Sequence, residues 1–351
     1  MSEFNIIEKY FARAAPQADL GVGDDAALIR AARGMQLAIS SDMLVAGTHF
    51  LHNCAPYDIG WKSLAVNISD MAAMGAQAKW ATLAIALPQN LISSSQEGDQ
   101  AGDRSSIYSP ASPLAGEVSA NEAWLAEFSN GFFACADVFN VDLIGGDTTR
   151  GPLNISVTIM GEVPTGKAFR RSGAQVGDDI WVSGTLGSAS LGLACLQDKT
   201  MQAKLQLTDA NLQICLAALN TPQPRAALGL ALRGIATSCI DISDGLLADL
   251  GHILKASKCG ATVDLEKILC IELLKNNLDN SQFQAYILAG GDDYELCFTA
   301  PPMQRKAINL LSKRLKLPIT CIGSTRAAIG LQTIYKNTIL TLLKQGFDHF
   351  S

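Results

Sequence analysis

No run of eighteen uncharged apolar residues occurs in this chain of 351 residues, which argues against a membrane span. CxxC spacing is absent as well. The nine cysteines lie far apart and are odd in number, the pattern of free thiols in a reducing cytosol rather than of a disulfide framework. Positive charge is scarce: 27 Lys and Arg against 33 Asp and Glu leave a formal net charge of −6, and the basic residues are scattered in ones and twos. That leaves no electrostatic footprint for a nucleic acid. The opening MSEFNIIEKYF carries charges at 3, 8 and 9 and no apolar h-region, unlike a secretory signal, so a cytoplasmic location is expected. Several catalytic signatures are missing too. GxxxxGK[ST], HRD, DFG and a GxGxxG following a strand are not found, which excludes the P-loop, protein-kinase and dinucleotide-fold readings.

What remains is an ordinary globular composition, 48% apolar and 17% charged, in a chain long enough for two domains. FNIIEKYFA spaces its apolar residues as a first helix, and MQLAISSDMLV reads as a buried strand running into a polar turn at Ser40, Ser41 and Asp42. DIGWKSLAVNISDMAAMGA puts Ile59, Leu64, Ile68 and Met71 near one face of a helix, with Asp70 toward its C-terminal half and Gly75 as its stop. WATLAIALP is a second strand. Residues 92–120, rich in Ser, Gly and Pro and without sustained periodicity, are expected to form a long mobile surface loop, with a functional lid as the other reading. NEAWLAEFSNGFFACADVFN resumes a helix, VDLI leads into GGD, and NISVTIMGEV alternates as a strand. PTGKAFRRSGAQVGD is the crossing to a second half that again mixes strands and helices, so the class is α/β or α+β. The expected division is an N-terminal domain at 1–165 and a C-terminal domain at 166–351.

Acids recur in similar settings: Asp24 and Asp25 in GVGDDAAL, Asp42 in ISSDM, Asp70 in NISDM, Asp147 in LIGGDTTR, Asp241 and Asp244 in CIDISDGLL, and Asp292 and Asp293 in LAGGDDYEL. Any single one is explained by a turn or a helix cap. As a set, carboxylates without a matching set of cations repel one another unless a hard cation sits among them, and magnesium, held by oxygens and substrate phosphates, is the obvious candidate. Arg170 and Arg171 begin a glycine-rich loop suited to phosphate oxygens, or else form a solvated basic pair. His49 follows Asp42 by seven residues. Read from the residues alone, this is a metal-dependent enzyme acting on phosphates, with donor and acceptor unnamed.

The segments GVGDDAAL, ISSDMLVAGTHF, DIGWKSLAVNISDMAAMGA, LIGGDTTRGPLNISVTIMGEVP, RRSGAQVGDDIWVSGTLG, IDISDGLLADLGHI, GGDDYELCFTAP and GFDHF resemble, in order, those of the thiamine-monophosphate kinase family. That family lies in the superfamily that also holds aminoimidazole ribonucleotide synthetase. The resemblance implies Mg2+- and ATP-dependent transfer of the γ-phosphoryl group onto thiamine monophosphate, without a phosphoenzyme, to give thiamine diphosphate and ADP. It implies two α/β domains, an N-terminal sheet forming a barrel across a homodimer, and a site in the cleft between domains. Position by position, Asp25, Ser40, Ser41, Asp42, Asp70, Asp147, Asp241 and Asp244 resemble magnesium ligands. Gly146, Asp147, Arg171 and Ser243 resemble nucleotide contacts, and His49, Asp292 and Phe347 resemble substrate residues. No covalent catalytic residue is implied. The family usually carries GGEDYE where this chain has GGDDYE, and a threonine where this chain has Ser41. A sister synthetase activity finds no support in GTHF or GFDHF, and a non-catalytic nucleotide binder sits poorly with so many retained acids.

Overall fold

The computed structural model describes residues 2–89, 120–340 and 346–347. The 92–120 segment lies outside the described residues except for Ala120. Strands are β1 Met35–Val45, β2 Gln77–Leu87, β3 Asp142–Arg150, β4 Asn154–Pro164, β5 Asp179–Ser183, β6 Ser238–Ile242, β7 Gly260–Asp264, β8 Glu295–Ala300, β9 Ile319–Arg326, β10 Gly330–Tyr335 and β11 Thr338–Leu340. Helices are α1 Glu3–Ile6, α2 Pro56–Ala73, α3 Ala120–Phe139, α4 Ser188–Gln197, α5 Met201–Lys204, α6 Asp209–Asn220, α7 Ala226–Ala231, α8 Leu246–Ser257, α9 Glu272–Asn276, α10 Ser281–Ala289 and α11 Arg305–Leu315. Among the described residues the strands form a four-stranded sheet, β1-β4-β2-β3, and a seven-stranded sheet, β11-β10-β7-β9-β5-β8-β6. The first helix expected from FNIIEKYFA is cut short: after α1 the chain widens into a π-helical turn at Ile7–Phe11.

The expected barrel is not what forms. The four-stranded sheet is open, with β1 and β3 as its two edges. Closure requires edge to pair with edge under a fixed tilt and stagger, whereas here α2 packs across one face of the sheet and the edges stay apart. The polar turn expected at Ser40, Ser41 and Asp42 does not form, because all three pair with β4 and β1 continues through them. Nor is the strand buried throughout, since its period-two alternation leaves Leu37, Ile39 and Met43 exposed on the outer face and buries Leu44 on the inner one.

The helix α2 is the keystone. Ile59, Leu64, Ile68 and Met71 are fully buried as their spacing predicts, but the remaining faces are buried too, including Lys62, Ser63, Asn67 and Ser69. On one side α2 crosses α3 at backbone contact, where a Cβ on Gly60 would collide with the Phe128 carbonyl. On the other it meets the second half of the chain: Trp61 Nε1 donates to Pro222 O at 2.8 Å, and Ala72 and Ala73 pack with Phe169, Trp181 and Leu228. The second sheet carries an ion pair of its own whose carboxylate is buried. Arg225 forks onto Glu295, with Nε at 2.6 Å from Oε2, and Ser183 Oγ donates to the same oxygen at 2.5 Å. Replacing Arg225 with Met strands that carboxylate, so urea denaturation is expected to register a loss of about 3–5 kcal/mol. A loss below about 1 kcal/mol would mean the pair contributes no more than a surface bridge.

Candidate active site

Strand β1 delivers Ser40 and Asp42 to the inner face, against α2. There Ser40 Oγ donates to Asp70 Oδ2 at 2.5 Å, and the Asp42 N–H donates to Asn67 Oδ1 at 3.2 Å. One residue before Asp70, Ser69 Oγ reaches across to Asp241 Oδ2, near the end of β6, at 2.8 Å. Asp42, Asp70, Asp241 and Asp244 thus converge from both halves of the chain, near enough to perturb one another. Asp42 is pushed up to about 6, first by burial and then by the charges of Asp70 and Asp244. Asp241 is raised by burial and then by Asp70, against the opposing Ser69 hydrogen bond. Asp70 is also raised by burial, offset by its Ser40 hydrogen bond and by the positive charge of Arg171, which the short helical turn Arg171–Gly173 holds beside it. Burial and like charge both favour the neutral acid, and a bound cation reverses both.

Beyond β6 the chain turns at Ser243–Gly245, with Gly245 at φ 116°, and enters α8. The buried Asp249 on the first turns of α8 reaches back, and its Oδ2 accepts the N–H groups of Ser243, Asp244 and Gly245, each at 3.1 Å. The carbonyls of the same stretch hold two later segments: Ile242 O accepts Tyr294 N–H, Ser243 O accepts Asp292 N–H and Asp244 O accepts Phe347 N–H, at 2.8, 2.8 and 2.9 Å. Asp292 and Tyr294 sit at positive φ, 67° and 48°. Asp292 Oδ1 pairs with the buried Lys62 Nζ at 2.7 Å and accepts the Tyr294 hydroxyl at 3.2 Å. The Tyr294 phenol is raised by burial and by Asp292, Asp42 and Asp241. His49 Nδ1 accepts the Val45 N–H at 3.0 Å, and its carbonyl lies 3.4 Å from Lys62 Nζ. The neighbouring Asp293 instead caps α4, both its oxygens 3.1 Å from the Gly187 nitrogen. Beside Asp292 opens a cavity of about 450 Å³ lined by Ser190, Leu193, Tyr286, Gly290, Gly291 and Phe347.

Not every expected residue joins this group. Asp25 is exposed in a loop whose Asp24 carboxylate accepts the Asp25 N–H at 3.1 Å. Ser41 points to the outer face of β1, where its hydroxyl pairs with Thr158 Oγ1 at 2.9 Å. β3 runs on through GGD, so Asp147 is exposed in an edge strand rather than held in a turn after it. Asp42, Val157, Leu83 and Gly146 are successive partners across the sheet. Three strand spacings, about 14 Å, therefore separate Asp42 from Gly146. Asp147 pairs with Ala84 in the row of Met43, on the outer face. Gly146 is required by the close passage of β2: a Cβ there would strike the Leu83 carbonyl. Sequence reasoning missed Lys62, Asn67, Ser69, Asp249 and Tyr294. For the three on α2 the available signal was the run of polar residues Lys62, Ser63, Asn67, Ser69 and Asp70 in an otherwise largely apolar stretch of helix.

Among the described residues no three His, Cys, Asp or Glu side chains close into a ready-made metal group. The donors that do converge are carboxylate oxygens, and magnesium is commonly held by one or two carboxylates plus substrate phosphates, so the residues fit that ion with a phosphorylated ligand present.

The two halves match family models described as AIR synthase related protein, N-terminal domain, over residues 23–163 and AIR synthase related protein, C-terminal domain, over 175–333. That is the class the two sheets and the acidic cleft define. Among curated relatives, the thiamine-monophosphate kinase of Escherichia coli (strain K12) is 42% identical, covering 99% of this chain and 98% of that protein. Among solved structures, thiamine-monophosphate kinase from Stenotrophomonas maltophilia K279a superposes with TM-score 0.76 at 42% identity, covering 94% of each chain. A structure described as AaThiL complexed with AMPPCP and TMP superposes with TM-score 0.70 at 25% identity, covering 99% of this chain and 96% of that one. The chain belongs to the thiamine-monophosphate kinase family.

Proposed function

We propose that this chain transfers the γ-phosphoryl group of ATP onto thiamine monophosphate, giving thiamine diphosphate and ADP. The observation that carries the reading is the convergence of Asp42, Asp70, Asp241 and Asp244 from both halves of the chain on one cleft, beside Asp292 and Phe347. In this reading those four acids hold magnesium, Ser40 and Ser69 aim two of them, and Arg171 with Ser243 engages the nucleotide. His49, Asp292 and Phe347 face thiamine monophosphate, with the cavity beside them as the place for its rings. Bound magnesium supplies charge neutralisation on phosphate oxygens. The chain's own part is to position donor and acceptor in line and to hold compensating charge. No general base is assigned, because an acceptor phosphate oxygen is already anionic near neutral pH. Asp25, Ser41, Gly146 and Asp147 are placed apart from the inner acids in a single copy, so the proposed centre is the inner four.

The same reading divides the chain at 165/166 and pairs it with a second copy. Support for pairing is the row of Leu37, Ile39 and Met43 exposed on β1. It also keeps the chain in the cytoplasm, where its nine cysteines, all unpaired, stay reduced; no described helix is long and apolar enough to cross a membrane. The test is product analysis of purified protein with ATP, Mg2+ and thiamine monophosphate. Thiamine diphosphate and ADP are expected in equal amounts. ADP without thiamine diphosphate would point to another acceptor, and nucleotide binding without any ADP would end the kinase reading.

A further inference from the structure

Three consecutive N–H groups converging on one oxygen form an anion nest, the device that proteins use to cradle phosphate. In the Ser243–Gly245 turn that nest is already filled, by the carboxylate of Asp249. The turn's amides are therefore committed internally, and Ser243 and Asp244 have only side chains and carbonyls left to offer. The carbonyls are committed in turn to the backbone of Asp292 and Phe347. One buried carboxylate thus sits at the root of two sets of groups: Asp244 and Ser243 on the metal and nucleotide side, Asp292 and Phe347 on the acceptor side.

We infer that Asp249 is a positioning residue that locks this turn and sets both sides of the site in a single register. The inference rests on the site reading above. A helix cap of local importance alone would change stability only. A register-setting residue couples the two substrates, so disturbing it weakens both together.

The experiment compares Asp249→Ala, Asp249→Asn and Asp244→Asn with the unaltered full chain. It measures hydrogen exchange of the 243–249 segment in metal-free protein, and the half-saturating concentrations of Mg2+ and of thiamine monophosphate. Asp249→Ala is expected to raise exchange in the turn and to raise both half-saturating concentrations by about ten-fold, the usual scale for outer-shell partners of metal sites. Asp249→Asn keeps an oxygen that can accept from the turn, and its shifts should be in the same direction and smaller. Asp244→Asn should lose activity while its turn amides stay protected. A folded Asp249→Ala with unchanged half-saturating concentrations, whatever its melting temperature, would overturn the inference. If Asp249→Ala does not fold, unchanged values for Asp249→Asn do the same. Full activity with unaltered Mg2+ dependence in Asp244→Asn would overturn the site assignment, and the inference with it. That failure is read without the Asp249 variants, so the two failures remain distinct.

Discussion

Asp42→Asn is expected to cost turnover on the order of 10²–10³-fold while making the metal-free protein more stable at pH 8. The two effects share a cause. Asp42 is half-buried on the inner face of β1, beside Asp70 and Asp244, and its acid is displaced from 3.8 to about 6. A folded pKa raised above the unfolded one means that the folded protein binds the extra proton between those values. Stability from this group is fully present below about pH 4 and is lost as pH rises through about 6. Above that, the ionised carboxylate costs the metal-free fold on the order of 3 kcal/mol. Asn at 42 carries no charge to repel its neighbours and none to hold a cation. Urea denaturation of metal-free protein at pH 5 and pH 8 should show the unaltered chain weakening over that interval and Asp42→Asn weakening less. Added Mg2+ should restore the unaltered chain at pH 8 and do little for the variant. A variant less stable than the unaltered chain at pH 8 would refute the electrostatic account, even if activity were lost.

Much of this site could be read from sequence because its parts are local. MQLAISSDMLV contains the expected strand, although β1 runs straight through Ser40, Ser41 and Asp42 where a turn was expected, and the acids of CIDISDGLL fall where a strand gives way to a helix. What could not be read is which face and which neighbour. Ser40 and Ser41 are adjacent, yet pleating sends one toward Asp70 and the other toward Thr158. Asp147 has the same kind of motif as Asp42, but strand order sets it on the far edge and the outer face. The barrel expectation failed at the same level, since sheet closure depends on pairing between edges that no single segment specifies. Lys62 was overlooked for a related reason. A lysine on a helix reads as solvated, and only the burial of α2 on all sides turns it into part of the cleft.

Asp292→Asn is expected to destabilise the protein more than Lys62→Met does, although both remove the same 2.7 Å ion pair. The asymmetry follows from burial: the Lys62 side chain is 5% exposed and that of Asp292 29%. Removing the negative charge leaves an ammonium group that water barely reaches without a counter-ion, with the new amide oxygen at 292 and the His49 carbonyl at 3.4 Å as neutral acceptors. Removing the lysine leaves a carboxylate that keeps the Tyr294 hydroxyl at 3.2 Å and partial access to water. Breaking a fully buried pair costs about 3–5 kcal/mol, so Asp292→Asn should approach that range, and Lys62→Met, discounted for solvent screening, should cost about half as much. The double variant should recover part of the loss, with a coupling energy on the order of 1–3 kcal/mol. The backbone adds a reason for aspartate at 292. At φ 67° the residue is left-handed, a conformation in which Asp is several-fold enriched and longer side chains are not. Asp292→Glu should therefore cost stability of about 1 kcal/mol and raise the half-saturating concentration of thiamine monophosphate, because the longer carboxylate must leave Lys62 or crowd the cavity. Equal losses for Asp292→Asn and Lys62→Met, with no coupling in the double variant, would mean that α2 and the 290–294 loop are held together by packing alone.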